Sequence, residues 1–147
     1  MRRAGIATIL LIEHDMDDAL AFEQAARETA KAHVHICRNF SEAKAYLQGA
    51  GQYRDRNQFP FPRVVVASLI PGAYAALQFL SWLNQTVENA PIIFVFTRSP
   101  SSAHRLQAVE LGARLFEKPD SADALQVIVR QIVLAAQTAG PRVAKTK

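Results

Sequence analysis

Polar side chains follow several apolar runs of the chain at the points where those runs end. The set comprises Glu13, His14 and Asp15 after the first run, Thr97 and Arg98 after the fourth, and Lys118 after the fifth. Carboxylates of this kind are ligands that a hard ion such as Mg²⁺ favours. The central run, Val64-Val65-Val66, is different because Ala67 and Ser68 follow it. A methyl group and a hydroxyl therefore stand where a reactive group is expected.

The apolar runs predict the strands of a parallel sheet. Three consecutive valines form a β-branched run too short for a helix, which is typical of a strand buried on both faces. Further strands are predicted at residues 6–12, 33–38, 90–96 and 114–117. The functional crevice of such a sheet lies beyond the carboxyl ends of its strands. The polar residues should therefore meet along one edge.

Helical segments separate these strands. Helices are predicted at residues 17–32, 41–47 and 73–85, before Gly112, and from Asp120 or Ser121 to residue 139. Asp15, Asp17 or Asp18 is expected to cap the first helix and Ser41 the second. Strand and helix alternate five times, which predicts a three-layer, doubly wound α/β fold of flavodoxin-like type with five parallel strands.

Length and charge indicate one domain with basic tails. The chain has 147 residues, and we expect a single domain over residues 1–139 and a basic tail over 140–147. The net charge of +4 arises in the two tails, where five basic residues have no acidic neighbours. The body then carries 12 basic and 13 acidic residues, which argues against a nucleic-acid-binding face. Cys37 is the only cysteine, and we expect it to be a buried hydrophobe.

The chain is expected to work in the cytoplasm. Residues 6–12 follow two arginines, as in a signal peptide, but acidic residues end the run early and no small-residue cleavage site follows. No run reaches the length that spans a membrane. The loop at residues 52–62 contains alternating prolines that predict an extended segment, with Phe59 and Phe61 either packing on the core or contacting a partner.

Several short motifs resemble the receiver domains of response regulators in two-component signalling. They are the segments Leu11-Ile12-Glu13-His14-Asp15, Leu69-Ile70-Pro71-Gly72, Leu111-Gly112-Ala113 and Lys118-Pro119, together with Thr97. The resemblance covers residues 6–139. The start of the first helix and the long loop before the third strand resemble single-domain receivers paired with phytochrome-type kinases.

The resemblance implies a phosphorylation pocket that has lost its chemistry. In the family, two acidic residues after the first strand hold Mg²⁺; their positions are Glu13 and His14 here. The phosphoacceptor aspartate lies four residues before the proline, at the position of Ala67, whose methyl group cannot attack phosphorus. Thr97 and Lys118 match the residues that contact the phosphoryl group. We therefore expect no metal, no cofactor and no enzymatic activity.

The residues around this degenerate pocket have alternative interpretations. Ser68 is turned away from the position of Ala67 by strand alternation, and His14 is interpreted as a hydrogen-bonded pocket residue. Lys118 and Glu13 are expected to form a remnant ion pair. The rim of the pocket is expected to contain Asp15, Ser68 and Arg98, and the guanidinium of Arg98 would cover the pocket.

The switch aromatic of the family falls at Leu115 when counted back from Lys118, or at Phe116 when counted forward from Gly112. The two counts place the aromatic position that the family couples to the threonine at different residues. Both alternatives remain open at the level of sequence.

The pattern of apolar residues in the final helix predicts where a partner would bind. Helical periodicity places Leu125, Ile128, Val129, Ile132 and Ala136 on a stripe that faces the core. Val127 and Leu134 lie almost opposite this stripe, and two exposed branched side chains on one line favour a protein contact.

The leading hypothesis is a phosphorylation-independent pseudo-receiver that binds a signalling protein, such as a histidine kinase or another regulator, or a second copy of itself. It involves neither nucleic acid nor membrane. An atypical regulator phosphorylated at a displaced residue, Ser68 or His14, is the alternative. A small-ligand binder using the emptied pocket is the third, although no glycine-rich phosphate loop supports it.

Overall fold

The computed structural model of the chain describes residues 6–29, 32–68, 74–88, 90–97 and 102–138. The strands are β1 (Ala7–Ile12), β2 (Ala32–Cys37), β3 (Val64–Ser68), β4 (Ile92–Thr97) and β5 (Arg114–Glu117). The helices are α1 (Met16–Thr29), α2 (Phe40–Gln48), α3 (Tyr74–Thr86), α4 (Ser102–Glu110) and α5 (Ala122–Thr138). A short 3-10 helix (Gly51–Tyr53) follows α2. Arg98, the Leu69-Ile70-Pro71-Gly72 segment and the basic tail lie outside the described residues.

The five strands form one parallel sheet in the order β2-β1-β3-β4-β5. The predicted doubly wound α/β architecture is confirmed. Strand β3 lies at the centre, and all five of its residues are buried. The central strands are apolar because both of their faces are covered by helices.

Each face of the sheet has its own hydrophobic core. Alternate residues of a strand point to opposite faces, so β1 and β3 contribute to both cores. One core contains Leu10, Ile12, Val65 and Ala67 together with buried residues of α2, α3 and α4. The other contains Ile9, Leu11, Val64 and Val66 together with buried residues of α1 and α5. This alternation decides which side chains at the strand ends can meet.

The helix caps correct one sequence prediction. Asp15 caps α1, because its Oδ1 accepts hydrogen bonds from the backbone N–H groups of Asp17 and Asp18. Helix α2 is capped by Asn39, whose Oδ1 accepts from the N–H of Glu42 at 2.8 Å. The prediction that Ser41 caps this helix is wrong, because the amide two residues earlier already fills the capping position.

The bounds of three strands also differ from the prediction. Strand β1 begins at Ala7 and not at residue 6, and β2 ends at Cys37 and not at residue 38. Strand β2 begins at Ala32 and not at residue 33, because α1 ends at Thr29, earlier than its alanine-rich sequence suggested. Strand β4 begins at Ile92 and includes Thr97. Pairing with β5 extends β4, since Thr97 is in register with Glu117. Strand β5 has the predicted bounds.

The loop between α2 and β3 folds back on the end of α2. The guanidinium of Arg56 donates to the carbonyl oxygens of Tyr46 at 2.9 Å, Leu47 at 2.9 Å and Phe59 at 3.1 Å. Carbonyl groups at a helix C-terminus have no partner within the helix, so Arg56 satisfies two of them. The loop is thereby docked, and it contains a 3-10 turn that the prediction of an extended segment did not include.

Aromatic side chains of this loop and of α2 surround a partly buried histidine. The ring of His35 lies 4.7 Å from Tyr46, 5.6 Å from Tyr53 and 5.7 Å from Phe59, measured between centroids. Phe59 packs on the core, whereas the exposed Phe61 lies under the Arg56 guanidinium. Burial among these rings, and next the charge of His33, lower the pKa of His35 below 6.5, while Glu42 opposes the shift.

Cys37 is fully buried, as predicted. Burial, and next the carboxylate of Glu42, raise the pKa of the Cys37 thiol to about 12. Because the thiolate is the reactive form, Cys37 is an inert core residue.

Candidate functional site

The ammonium of Lys118 is the centre of the candidate site. Lys118 directly follows β5, and its N–H donates to the backbone carbonyl of Thr97 at 2.8 Å. Its Nζ lies 2.7 Å from Glu13 Oε1 and 2.7 Å from Asp18 Oδ2, and it donates to Ser68 Oγ at 3.1 Å. The predicted ion pair between Glu13 and Lys118 is confirmed, and Asp18 and Ser68 complete the set.

The side chains of this cluster are largely shielded from water. The exposed fractions are 3% for Glu13, 12% for Lys118 and 29% for Asp18. An ammonium group has three N–H donors. Each of the three acceptors comes from a different element, namely the end of β1, the first turn of α1 and the end of β3. The charge of Lys118 is therefore fully partnered within the fold.

The second carboxylate oxygen of Glu13 points toward the following loop. Glu13 Oε2 accepts from the N–H of Asp15 at 3.1 Å, and it lies 3.4 Å from His14 Nδ1. The N–H of Glu13 itself donates to the carbonyl of Cys37 at 2.9 Å. These contacts hold Glu13 at the end of β1 with both of its oxygens engaged.

His14 lies at the surface and not inside the pocket. Its side chain is 58% exposed, and its contact with Glu13 is an ion pair only when the imidazole is protonated. The interpretation of His14 as a hydrogen-bonded pocket residue is therefore wrong. Asp15 is exposed and caps α1, and its predicted role at the rim of the pocket stays a prediction.

Ala67 and Ser68 face opposite sides of the sheet. Ala67 is fully buried and belongs to the core beneath α2, α3 and α4. Ser68 is the next residue, so strand alternation turns it to the side of α1 and α5, where its hydroxyl meets Lys118. The structure agrees with the prediction that Ser68 does not replace the side chain at position 67.

Thr97 and Leu115 lie on the same face of the sheet as Ala67. Thr97 is 7% exposed at the end of β4, and Leu115 is in register with Val95 of that strand. Phe116 lies on the other face, where its ring stacks on Phe94 at 5.6 Å. The position that the resemblance gives to a switch aromatic next to Thr97 is therefore that of Leu115, which is aliphatic.

The two residues predicted as a partner surface are exposed. Val127 is 54% and Leu134 58% exposed on the outer line of α5, whereas Val129, Ile132 and Ala136 are buried. Leu125 and Ile128 are half-buried against the same core. The predicted orientation of α5 is confirmed, and the use of this line by a partner stays a prediction.

The residues at the strand ends do not fit a divalent metal ion. Position 67 offers a methyl group, the imidazole of His14 lies toward solvent, and Glu13 is already neutralised by Lys118. Among the described residues there is no group of three or more His, Cys, Asp or Glu side chains placed to hold a metal ion. The same part of the chain contains no helix long and apolar enough to cross a membrane.

Comparison with solved structures shows which proteins share this architecture. The response regulator RPA3017 in red light signaling of R. palustris has a TM-score of 0.77 and 19% identity, covering 96% of this chain and 99% of its own. The phosphorylated cyanobacterial phytochrome response regulator RcpA has a TM-score of 0.76 and 19% identity, covering 95% and 99%. The Mn²⁺-bound form of response regulator Rcp1 has a TM-score of 0.76 and 20% identity, covering 93% and 99%.

The chain has the receiver-domain fold. No protein-family model and no curated protein matches its sequence. At this level of identity the likeness to response regulators is one of fold, and the receiver fold extends over almost the whole of each compared chain. The fold that the short motifs implied is thus confirmed.

Sequence reasoning missed the role of Asp18 in this receiver fold. Asp18 was considered as a helix cap, but the cap is Asp15, and the carboxylate of Asp18 binds Lys118 instead. The signal in the sequence was the spacing, because a residue three positions after a cap lies in the first helical turn. An acidic side chain there also suits the helix dipole, which made its second role hard to recognise.

Proposed function

We propose that this chain is a pseudo-receiver, a module of two-component-type signalling that acts by binding another protein without being phosphorylated. The observation that carries the proposal is Ala67 at the end of β3, fully buried and without a nucleophile. The partner is a histidine kinase or another regulator, or a second copy of the chain, in the cytoplasm. Its binding surface includes Val127 and Leu134 on the outer line of α5.

Two further observations support this proposal. Lys118, which would contact a phosphoryl group in a working receiver, is held by Glu13, Asp18 and Ser68 on the side of the sheet away from Ala67. Leu115, an aliphatic residue in register with Val95, lies on the same face of the sheet as Thr97, at the position that the resemblance gives to the switch aromatic when counted back from Lys118. Both observations support a chain that keeps the receiver fold but does not use phosphorylation.

The proposal is tested by exposing the chain to a phosphodonor. Acetyl phosphate with Mg²⁺ should leave the intact mass unchanged, because position 67 has no group that can attack phosphorus. A receiver with an intact acceptor aspartate, treated in parallel, verifies that the donor is active. A stable phosphoryl adduct would contradict the proposal.

Mapping such an adduct would identify the alternative function. The hydroxyl of Ser68 accepts a hydrogen bond from Lys118, and the exposed imidazole of His14 lies 3.4 Å from Glu13. Ser68→Ala and His14→Gln, each treated with the same donor, would show which residue carries the phosphoryl group. An adduct abolished by either substitution would make the chain an atypical response regulator.

A further inference from the structure

Helices α3 and α4 leave an open groove between them, the α3–α4 groove. It has a volume of about 280 Å³ and is lined by Leu77, Gln78, Ser81, Gln107, Glu110 and Leu111. One water occupies roughly 30 Å³, so the groove has room for side chains of another molecule. Leu77 is buried and Leu111 is half-buried, and they supply the apolar part of the lining. Glu110 is exposed and is the charged residue among the six.

An exposed leucine extends the apolar surface beside this groove. Leu106 is 60% exposed and lies one helical turn before Glu110, on the same side of α4. An apolar groove of this kind binds the apolar side of an amphipathic helix. The carboxylate of Glu110 favours a helix that also carries a basic residue, because complementary charges select the partner.

The outer line of α5 has this combination of residues. Val127 and Leu134 are 54% and 58% exposed, and the exposed Arg130 lies between them on the same side of the helix. Arg130 and Leu134 are about 6 Å apart along the helix axis. Within the part of the chain that the structure describes, no ion pair joins Arg130 or Glu110 to another side chain. Both charges are therefore available to a partner.

We propose that the outer line of α5 of one copy of the chain docks in the α3–α4 groove of a second copy. Leu134 enters the apolar part of the groove, and Arg130 pairs with Glu110 of the second copy. Val127 then packs on the exposed Leu106. The ion pair selects the orientation of the docked helix, whereas the apolar contacts supply most of the attraction. The inference rests on the proposed function for the role of α5, and it specifies the partner as a second copy.

The two surfaces lie on opposite faces of the sheet. Helices α3 and α4 cover one hydrophobic core, and α5 covers the other. A chain therefore cannot fill its own groove, and every copy presents both a groove and an outer line. A contact between two different surfaces is heterologous and repeats head to tail unless it closes into a ring. We expect association to continue beyond the dimer as the concentration rises.

The experiment measures the mass of the chain by light scattering between about 10 µM and about 1 mM, which covers micromolar to millimolar affinities. The mass of the unaltered chain should rise past that of a dimer. Glu110→Arg alone, and Val127→Glu with Leu134→Glu, should each weaken association at least about tenfold. Val109→Arg is the matched control, because it places an arginine on the side of α4 opposite Gln107 and should leave association unchanged.

A mixture of two defective chains tests the head-to-tail arrangement. The Glu110→Arg chain retains its outer line of α5, and the chain with Val127→Glu and Leu134→Glu retains its groove. Their equimolar mixture should therefore form pairs with one chain of each kind and nothing larger. Arg130→Glu should also weaken association, and its combination with Glu110→Arg in one chain should restore it, because the two charges are exchanged. Circular dichroism verifies that each variant is folded.

Several results would overturn the inference. They are an unaltered chain that remains a monomer at about 1 mM, a mixture that does not pair, and a charge exchange that does not restore association. A dimer that resists Glu110→Arg but is lost with Val127→Glu and Leu134→Glu would also overturn it, because the groove would then take no part. A phosphoryl adduct on a chain that still assembles would overturn only the proposed function.

Discussion

Substitution of Lys118 by methionine should destabilise the fold strongly. The change removes the ammonium but retains a side chain of similar length, so the packing around the aliphatic part is largely preserved. It leaves the Glu13 carboxylate, whose side chain is only 3% exposed, without its charged partner. Breaking a buried ion pair on one side typically costs about 3–5 kcal/mol, because the remaining charge is poorly solvated. For a domain of this size that corresponds to a fall in Tm of about 10 °C.

Substituting both Glu13 and Lys118 should lower the free energy of unfolding by less than the sum of the decreases in the two single variants. Glu13→Gln keeps the shape of the side chain, and Lys118 still has Asp18 at 2.7 Å. In the double variant Glu13→Gln/Lys118→Met no buried charge remains at position 13, and Asp18 is 29% exposed to water. We expect a coupling free energy of about 1–3 kcal/mol between the two positions.

The assay is urea unfolding followed by circular dichroism for the unaltered chain, both single variants and the double variant. Lys44→Met serves as the control for loss of a surface ammonium and should change the free energy of unfolding by about 1 kcal/mol or less. If the decreases in free energy of unfolding of the two single variants add up to that of the double variant within about 0.5 kcal/mol, Glu13 and Lys118 are not coupled. The account of Lys118 as the centre of the site would then be wrong.

Two further predictions concern the rest of the molecule. Stability should decrease as the pH falls below about 6.5, because the lowered pKa of His35 in the folded state lets the unfolded chain take up the proton first. The measurement is urea unfolding at a series of pH values. In His35→Phe the free energy of unfolding should depend less on pH. An unchanged pH dependence would show that His35 does not cause the decrease. Val127→Glu with Leu134→Glu should abolish partner binding or self-association in light scattering and binding titrations, at a stability cost within about 0.5 kcal/mol per site. Leu20→Glu, at an exposed position of α1, and Lys118→Ala, in the pocket, should leave association intact. If Lys118→Ala alone loses association while its circular dichroism spectrum remains that of the folded chain, function lies in the pocket and the prediction is wrong.

The order of strands and helices could be predicted from the sequence because it depends on local patterns. Three consecutive valines favour a buried strand wherever they occur, and the five alternating segments leave few other topologies. The outward position of Val127 and Leu134 also follows from helical periodicity, since about 100° per residue relates every side chain of α5 to its core stripe. The boundaries were less certain, and pairing between β4 and β5 extended β4 to Thr97.

The loss of the acceptor at position 67 is likewise a property of the sequence alone, because no arrangement of the chain gives an alanine methyl a lone pair. The orientation of the other pocket residues, by contrast, does not follow from the sequence. His14 and Glu13 are neighbours in the sequence, yet one is exposed and the other buried, since the chain turns outward after β1 to begin α1. Neighbouring positions do not fix which side chain enters a pocket.

Only the tertiary structure decided what Lys118 binds. The carboxylate of Asp18 reaches the ammonium because the first turn of α1 packs beside the end of β5, although the two residues are far apart in the chain. Ser68 joins them because β3 has a register that turns its hydroxyl toward α1 and its neighbour Ala67 toward α3. Sequence periodicity determines which face of each element is apolar. The depth and rotation at which the elements dock determine which polar atoms at their ends come within hydrogen-bonding distance.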